Sequence, residues 1–242
     1  MRVLVTGSAD GLGRLAAAAL QQGGHDVVVH VRSRSRLEAV RPLLAAGAHA
    51  VVGDFADLDG TRQVVEQANH LSRMDAVIHN AGVISGKAVL PVNVVAPYLL
   101  TASLERPDRL VYLSSGMHRG GRPTLRGMDW SGHRPTASYS DSKLFVTALT
   151  LAVARLWPGV LSNAVDPGWV PTRMGGRSAP DDLGLGHLTQ EWLATSSDPA
   201  ALTSGGYWHH QRRSDPHPAA LDEGFQAQLL ADLAQHTGVR LD

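Results

Sequence analysis

Val3-Leu4-Val5-Thr6-Gly7-Ser8-Ala9-Asp10-Gly11-Leu12-Gly13 is the stretch that decides the fold. Its three apolar residues predict a short strand, the glycines follow at once, and Leu12 to Leu20 continues as an alanine- and leucine-rich helix pattern. Strand, tight turn and helix in that order form a cradle for a nucleotide. One glycine permits the turn, one lets backbone N–H groups approach a diphosphate, and one lets the helix pack closely on the strand. The helix N-terminus then faces the negative charge. Without the flanking strand and helix, the same glycines would read as an ordinary turn.

Outward from this stretch, apolar strand-like runs recur at about residues 2–6, 26–31, 49–52, 74–79, 109–114, 159–165 and 205–208, with helix patterns between most of them. That alternation predicts βαβ units, hence a parallel sheet covered on both faces. The expected architecture is a single α/β domain over residues 1–242. It is a Rossmann-type, doubly wound, seven-stranded parallel sheet with helices on both faces and a ligand at the carboxyl ends of its strands. Two stretches interrupt the rhythm: Met117 to Pro135, rich in Gly, Arg and Pro, and a second from Val170 through Leu188. They are expected to be substrate loops, about 117–135 and 170–195, or else surface excursions. Residues 221–236 read as a closing amphipathic helix.

Composition excludes several kinds of chemistry. The 242-residue chain is 43% apolar and 18% charged, enough to bury a sizeable core. It has no cysteine, so disulfides, thiolate nucleophiles and zinc-thiolate or iron–sulfur sites are ruled out. Lysine plus arginine equals aspartate plus glutamate at 22 each, which gives no global field toward nucleic acid or anionic membrane. Small-molecule partners are expected. The chain enters a strand without a leader-like segment and has no apolar run of membrane-spanning length, so a cytoplasmic location is expected. His209-His210 and His217 match no metal-ligand spacing and read as surface histidines, so no metal is expected.

The second strand bears on the choice of cofactor. An NAD-preferring dinucleotide fold carries an acid there for the ribose hydroxyls. This chain reads Val27-Val28-Val29-His30-Val31-Arg32-Ser33-Arg34 and offers no carboxylate. Arg32 could pair with a 2′-phosphate, with Ser33, Ser8 or Arg34 adding donors. NADP(H) is therefore preferred, with NAD(H) possible; the alternative is that these arginines begin a helix on a solvated face. His30 reads as a strand residue. Asp54 and Phe55 fall where an adenine could be bracketed, although Asp54 could equally cap the next helix.

Tyr139 and Lys143 are four apart and share one face of a predicted helix. Alone, the pair is an ordinary helix surface; its company matters. Ser114-Ser115 ends the run Leu110-Val111-Tyr112-Leu113, Asn80-Ala81-Gly82 ends the run Ala76-Val77-Ile78, and Asn93 starts a later helix pattern. A hydride delivered to a carbonyl carbon leaves charge on the oxygen, which needs a proton donor. Tyr139 is the candidate acid, and the Lys143 ammonium would favour its phenolate.

Over nearly its whole length the chain resembles the short-chain dehydrogenase/reductase family. The family's TGxxxGxG motif is met at Thr6 to Gly13 and its YxxxK motif at Tyr139 and Lys143. Its NNAG motif appears as His79-Asn80-Ala81-Gly82 and its PG motif as Asp166-Pro167-Gly168, followed by Thr172. The strand-end serine matches Ser115, with Ser114 the more structural hydroxyl. The resemblance implies that Ser115 hydrogen-bonds the substrate oxygen, that Lys143 also holds the nicotinamide ribose, and that Asn93 helps hold a water. Pro167, Gly168, Val170 and Thr172 would touch the nicotinamide. It also implies a homodimer or homotetramer, paired through the helix of Tyr139 and Lys143 or near the carboxyl end.

The chain departs from the family at two spacings. Asn80 to Asn93 is shorter than in most members, while Ser115 to Tyr139 is longer and similar to the retinol dehydrogenase-like and protochlorophyllide reductase-like branches. Trp169, Met174 and Trp192 could line an apolar substrate pocket or pack in the core. The expected function is interconversion of a small-molecule carbonyl and alcohol. The alternatives are a dinucleotide-binding regulator and an extended-branch epimerase or dehydratase, whose glycine spacing, TGxxGxxG, differs from that of Thr6 to Gly13.

Overall fold

A computed structural model describes residues 1–241. One sheet organises the chain, built from β1 (Arg2–Val5), β2 (Asp26–Val31), β3 (His49–Val52), β4 (Ala76–His79), β5 (Arg109–Leu113), β6 (Leu161–Asp166), β7 (Gly206–His209) and β8 (Arg212–Ser214). Their order is β3-β2-β1-β4-β5-β6-β7-β8. The first seven strands are parallel, and β8 returns antiparallel on β7. The eighth strand corrects the expected count of seven. It forms because His210 and Gln211 both take positive φ, 46° and 60°, giving the two-residue turn that a hairpin requires.

Alternation along the parallel strands builds two cores. Leu4, Val28, Val77 and Leu110 point to one face, and Val3, Val5, Val29, Ile78 and Val111 to the other. Burial on both faces explains the unbroken apolar runs. The first face is covered by α3 (Leu58–Leu71), α4 (Ala96–Ser103), α5 (Tyr139–Leu156) and α7 (Glu223–Thr237). On the second lie α1 (Gly11–Gln22), the short α2 (Arg41–Ala45) and α6 (Leu183–Thr195). Helix α6 begins inside the stretch read as loop. Asp182 starts it by accepting the Leu185 N–H at 3.0 Å.

The sheet positions the site through its strand order. Strand β1 lies between β2 and β4, so the connections leaving β1 and β4 diverge and open a crevice at their carboxyl ends. Helix α5 is fixed at its start by a capping box between Ser138 and Asp141. Arg122 binds the buried Asp141 carboxylate at 3.0 Å, and these hydrogen bonds hold the carboxyl down at about 2 against the effect of burial. Residues Asp141 to Val153 are buried all round the helix. The face of α5 turned away from the sheet carries α7, with Phe225 packed on Phe145 at 5.9 Å between ring centroids. Beyond α7, Val239 O accepts the Tyr98 hydroxyl at 2.8 Å. The chain's own helix α7 thus covers part of α5.

Candidate active site

The crevice is a groove of about 650 Å³ running from the end of β2 to the start of α5. Gly7, Gly11, Leu12, Arg32, Asp54, Phe55, Asn80, Ala81, Gly82, Tyr139, Lys143, Pro167, Thr172 and Met174 line it, as do Asp10, Arg36 and Arg173, which the sequence reading did not select. The glycine turn is built as a packed corner. Gly7 and Gly11 take φ of 69° and 54°, and a Cβ on Gly13 would fall 2.2 Å from Asn80 Nδ2. Thr6 and Ser8 support this corner from behind. Thr6 Oγ1 accepts the N–H groups of Asn80 and Ala81, each at 2.9 Å. Ser8 Oγ donates to Val5 O, and both side chains are buried away from the groove.

His30 pins the same corner. Its Nδ1 accepts the Gly7 N–H at 3.1 Å and its Nε2 donates to Gly53 O at 2.8 Å, a pattern that needs the neutral ring. Burial lowers its pKa to about 4. The ring stacks on Phe55 at 4.0 Å and 12°. Asp54 folds a turn by accepting the Ala56 N–H at 2.9 Å, while the cap of α3 falls to Asp57. Arg32 and Arg36 stand at this end of the groove, and neither guanidinium has an ion-pair partner among the described residues. Arg36 reaches it because residues 34–40 wind as a 3₁₀ helix. Ser33 opens that helix and shares a hydrogen bond with Ser35; Ser33 and Arg34 do not line the groove.

At the other end, Ser115 at the exit of β5 stands near the Tyr139 phenol, its hydroxyl accepting the Met117 N–H at 3.2 Å. Lys143 is buried one turn along α5, its Nζ 5.4 Å from the Tyr139 ring centroid and donating to Leu113 O at 2.6 Å. Burial dominates both groups. It pushes Tyr139 up to about 12, helped by the nearby Asp166 carboxylate and opposed by the Ser115 hydroxyl, and it brings Lys143 down to about 8. Ser114 lines the groove where Ser115 does not, and bonds Thr147 at 2.7 Å.

Asn93 sits in a π turn, Pro91–Val95, where the Ala96 N–H reaches Pro91 O. Its Oδ1 accepts the Val83 N–H at 2.8 Å, and its Nδ2 donates to Val83 O and Ser142 Oγ, each at 2.9 Å. Both amide hydrogens are thereby spent on protein partners. Asn93 is a strut that fixes the Gly82-Val83 backbone beside Lys143.

The turn after β6 completes the site. Asp166 Oδ1 accepts the Gly168 N–H at 3.1 Å, and Gly168 takes φ of 82°. Pro167 and Thr172 reach the groove; Val170 is buried and Gly168 stands back from it. Of the three candidate apolar liners, Met174 lines the groove and Trp169 is 57% exposed. Trp192 meets Trp208 edge-on at 5.2 Å in the core. Among the described residues there is no metal-ligand cluster and no helix long and apolar enough to cross a membrane.

Comparison with known proteins agrees with this geometry. A family described as short chain dehydrogenase matches residues 1–103. An uncharacterized oxidoreductase of Emericella nidulans, AN7799, is 34% identical over 99% of this chain and 98% of its own length. The short-chain dehydrogenase chyC of Penicillium rubens is 33% identical over the same shares. Among solved structures, an uncharacterised protein from Mycobacterium paratuberculosis superposes with a TM-score of 0.83 at 24% identity, over 100% of this chain and 94% of that one. A blue fluorescent protein from a metagenomic library, solved with NADPH, superposes with a TM-score of 0.71 at 22% identity, over 86% and 95%. With relatives above 30% identity along its whole length, and with the glycine corner and the Tyr139–Lys143 pair in one groove, the chain belongs to the short-chain dehydrogenase/reductase family of oxidoreductases.

Proposed function

We propose that this protein is an NADP(H)-dependent reductase interconverting an apolar ketone or aldehyde and its alcohol. The observation that carries the reading is the buried Lys143, its Nζ 5.4 Å from the Tyr139 ring centroid, at one end of a groove whose other end holds Arg32 and Arg36, neither ion-paired among the described residues. The residues fit a dinucleotide. Gly7 and Gly11 bring backbone without a Cβ to the groove, and the first turn of α1 presents N–H groups without intrahelical acceptors. Arg32 and Arg36 suit a 2′-phosphate better than a bare ribose. When bound, the reduced nicotinamide supplies the hydride to the carbonyl carbon and leaves oxidised.

Ser115 orients the substrate oxygen, and the Tyr139 hydroxyl donates the proton that the oxygen takes up, leaving a phenolate to be reprotonated from solvent. Lys143 stabilises that phenolate and binds the nicotinamide ribose. Val83, Ile84, Ala88, Val92 and Met174 line this end of the groove and favour an apolar substrate.

NADPH consumption against bulky ketones and aldehydes, followed across pH, tests the proposal. Tyr139, held up at about 12, stays protonated throughout. Lys143, lowered to about 8, carries its charge below that pH and loses it above. Reduction is therefore expected to hold level at neutral pH and to fall, one proton per site, as pH rises through about 8. A rate that rises through the same interval contradicts these roles.

A further inference from the structure

Residues 169–181, after β6, form a loop closed at its base and braced within. Asp181 Oδ2 accepts the Trp169 N–H at 2.6 Å, and the Asp181 N–H donates to Trp169 O at 3.1 Å. Inside, the Trp169 indole N–H donates to Gly175 O at 2.8 Å, and the Gly175 N–H donates to Thr172 Oγ1 at 3.2 Å. A loop tied to itself in this way moves as one body about its ends.

The tip of this flap bridges the groove. Thr172 Cγ2 lies 3.5 Å from where a Cβ on Gly11 would stand, at the start of α1. Met174 Cε lies 3.9 Å from the same point on Gly82, which is itself 3.7 Å from Lys143 Nζ. Arg173 falls between these two anchors, lines the groove, is exposed, and has no hydrogen bond or ion pair from its side chain among the described residues. The other cations lining the groove are at its ends, Arg32 and Arg36 beyond β2 and Lys143 on α5. Among the groove-lining residues described, Arg173 is the cation adjacent to Thr172, which meets the start of α1.

We propose that Arg173 clamps the diphosphate of the dinucleotide and that this contact holds the flap shut. The inference rests on the cofactor reading above and adds a coupling to it. Arg173 and Met174 are adjacent, so the same closure that grips the cofactor sets the apolar wall of the substrate end. Charge-assisted contact by a planar fork suits a diphosphate.

The test is titration of wild type, Arg173→Gln and Arg173→Lys with NADPH and with adenosine 2′-monophosphate, which carries the 2′-phosphate but no diphosphate. Flap position is read from Trp169 fluorescence, isolated by subtracting the signal of Trp169→Phe. Arg173→Gln is expected to weaken NADPH about 10- to 100-fold, the range for losing one charge-assisted bond, and to leave adenosine 2′-monophosphate within about twofold. It should also abolish the Trp169 response at saturating NADPH. Arg173→Lys, which keeps the charge, should retain most of both. NADPH affinity unchanged in Arg173→Gln, or adenosine 2′-monophosphate affinity lost in step, overturns the clamp. A wild type that binds neither nucleotide overturns the cofactor reading beneath it.

Discussion

Tyr139→Phe is expected to lower kcat for carbonyl reduction by about 10²- to 10⁴-fold, the usual contribution of a positioned general acid. The change removes one oxygen from a side chain that α5 holds rigidly. Asp141 caps that helix, Phe145 and Phe225 pack beyond it, and residues 141 to 153 are buried around it. Lys143 keeps its bond to Leu113 O, because that bond does not pass through the phenol. NADPH affinity should therefore stay within about twofold, since the lost group contributes to the transition state rather than to ground-state binding. Stopped-flow turnover with a parallel nucleotide titration separates the two effects. Full turnover in the variant removes Tyr139 from the reaction, and a matched loss of affinity makes its role structural.

Arg32→Gln and Arg36→Gln are each expected to weaken NADPH by about 10- to 100-fold while leaving NADH within about twofold, because a charge-assisted bond to phosphate is lost only where the 2′-phosphate exists. Both guanidiniums line the same end of the groove without ion-pair partners among the described residues, so removing either frees no buried charge. His30, stacked on Phe55 and bonded to Gly7 and Gly53, holds the floor beneath them and is untouched by either change. Parallel titrations with the two nucleotides check this. Equal losses for NADPH and NADH would move the arginines away from the 2′-phosphate.

The sequence made the frame legible wherever local pattern and burial agree. The runs at β1, β2 and β4 are apolar without interruption because both sheet faces are covered, and the glycine corner needs glycine at Gly13, where no Cβ fits. Strand β8 was not legible, because its turn is made by His210 and Gln211 rather than by the Asn-Gly or Asp-Gly pairs that announce a hairpin. Arg36 escaped for a related reason. An extended chain would alternate from Arg32 to Arg34, whereas the 3₁₀ winding brings Arg36 back to the groove. The supporting roles of Thr6, Ser8 and Asn93 depend on contacts between segments 10 to 75 residues apart, or on a strand folding back on its own turn, and residue spacing carries no trace of these. The covering of α5 by α7 likewise becomes visible only in three dimensions.

Hydride transfer itself is the most direct test of the account. NADPH carrying deuterium at both positions of nicotinamide C4 is incubated with the protein and an apolar ketone that it turns over, and the alcohol is examined by mass spectrometry. One deuterium on the former carbonyl carbon of every alcohol molecule is the predicted result. An alcohol formed without deuterium at that carbon would contradict the proposal that this groove carries a hydride from NADPH to a carbonyl.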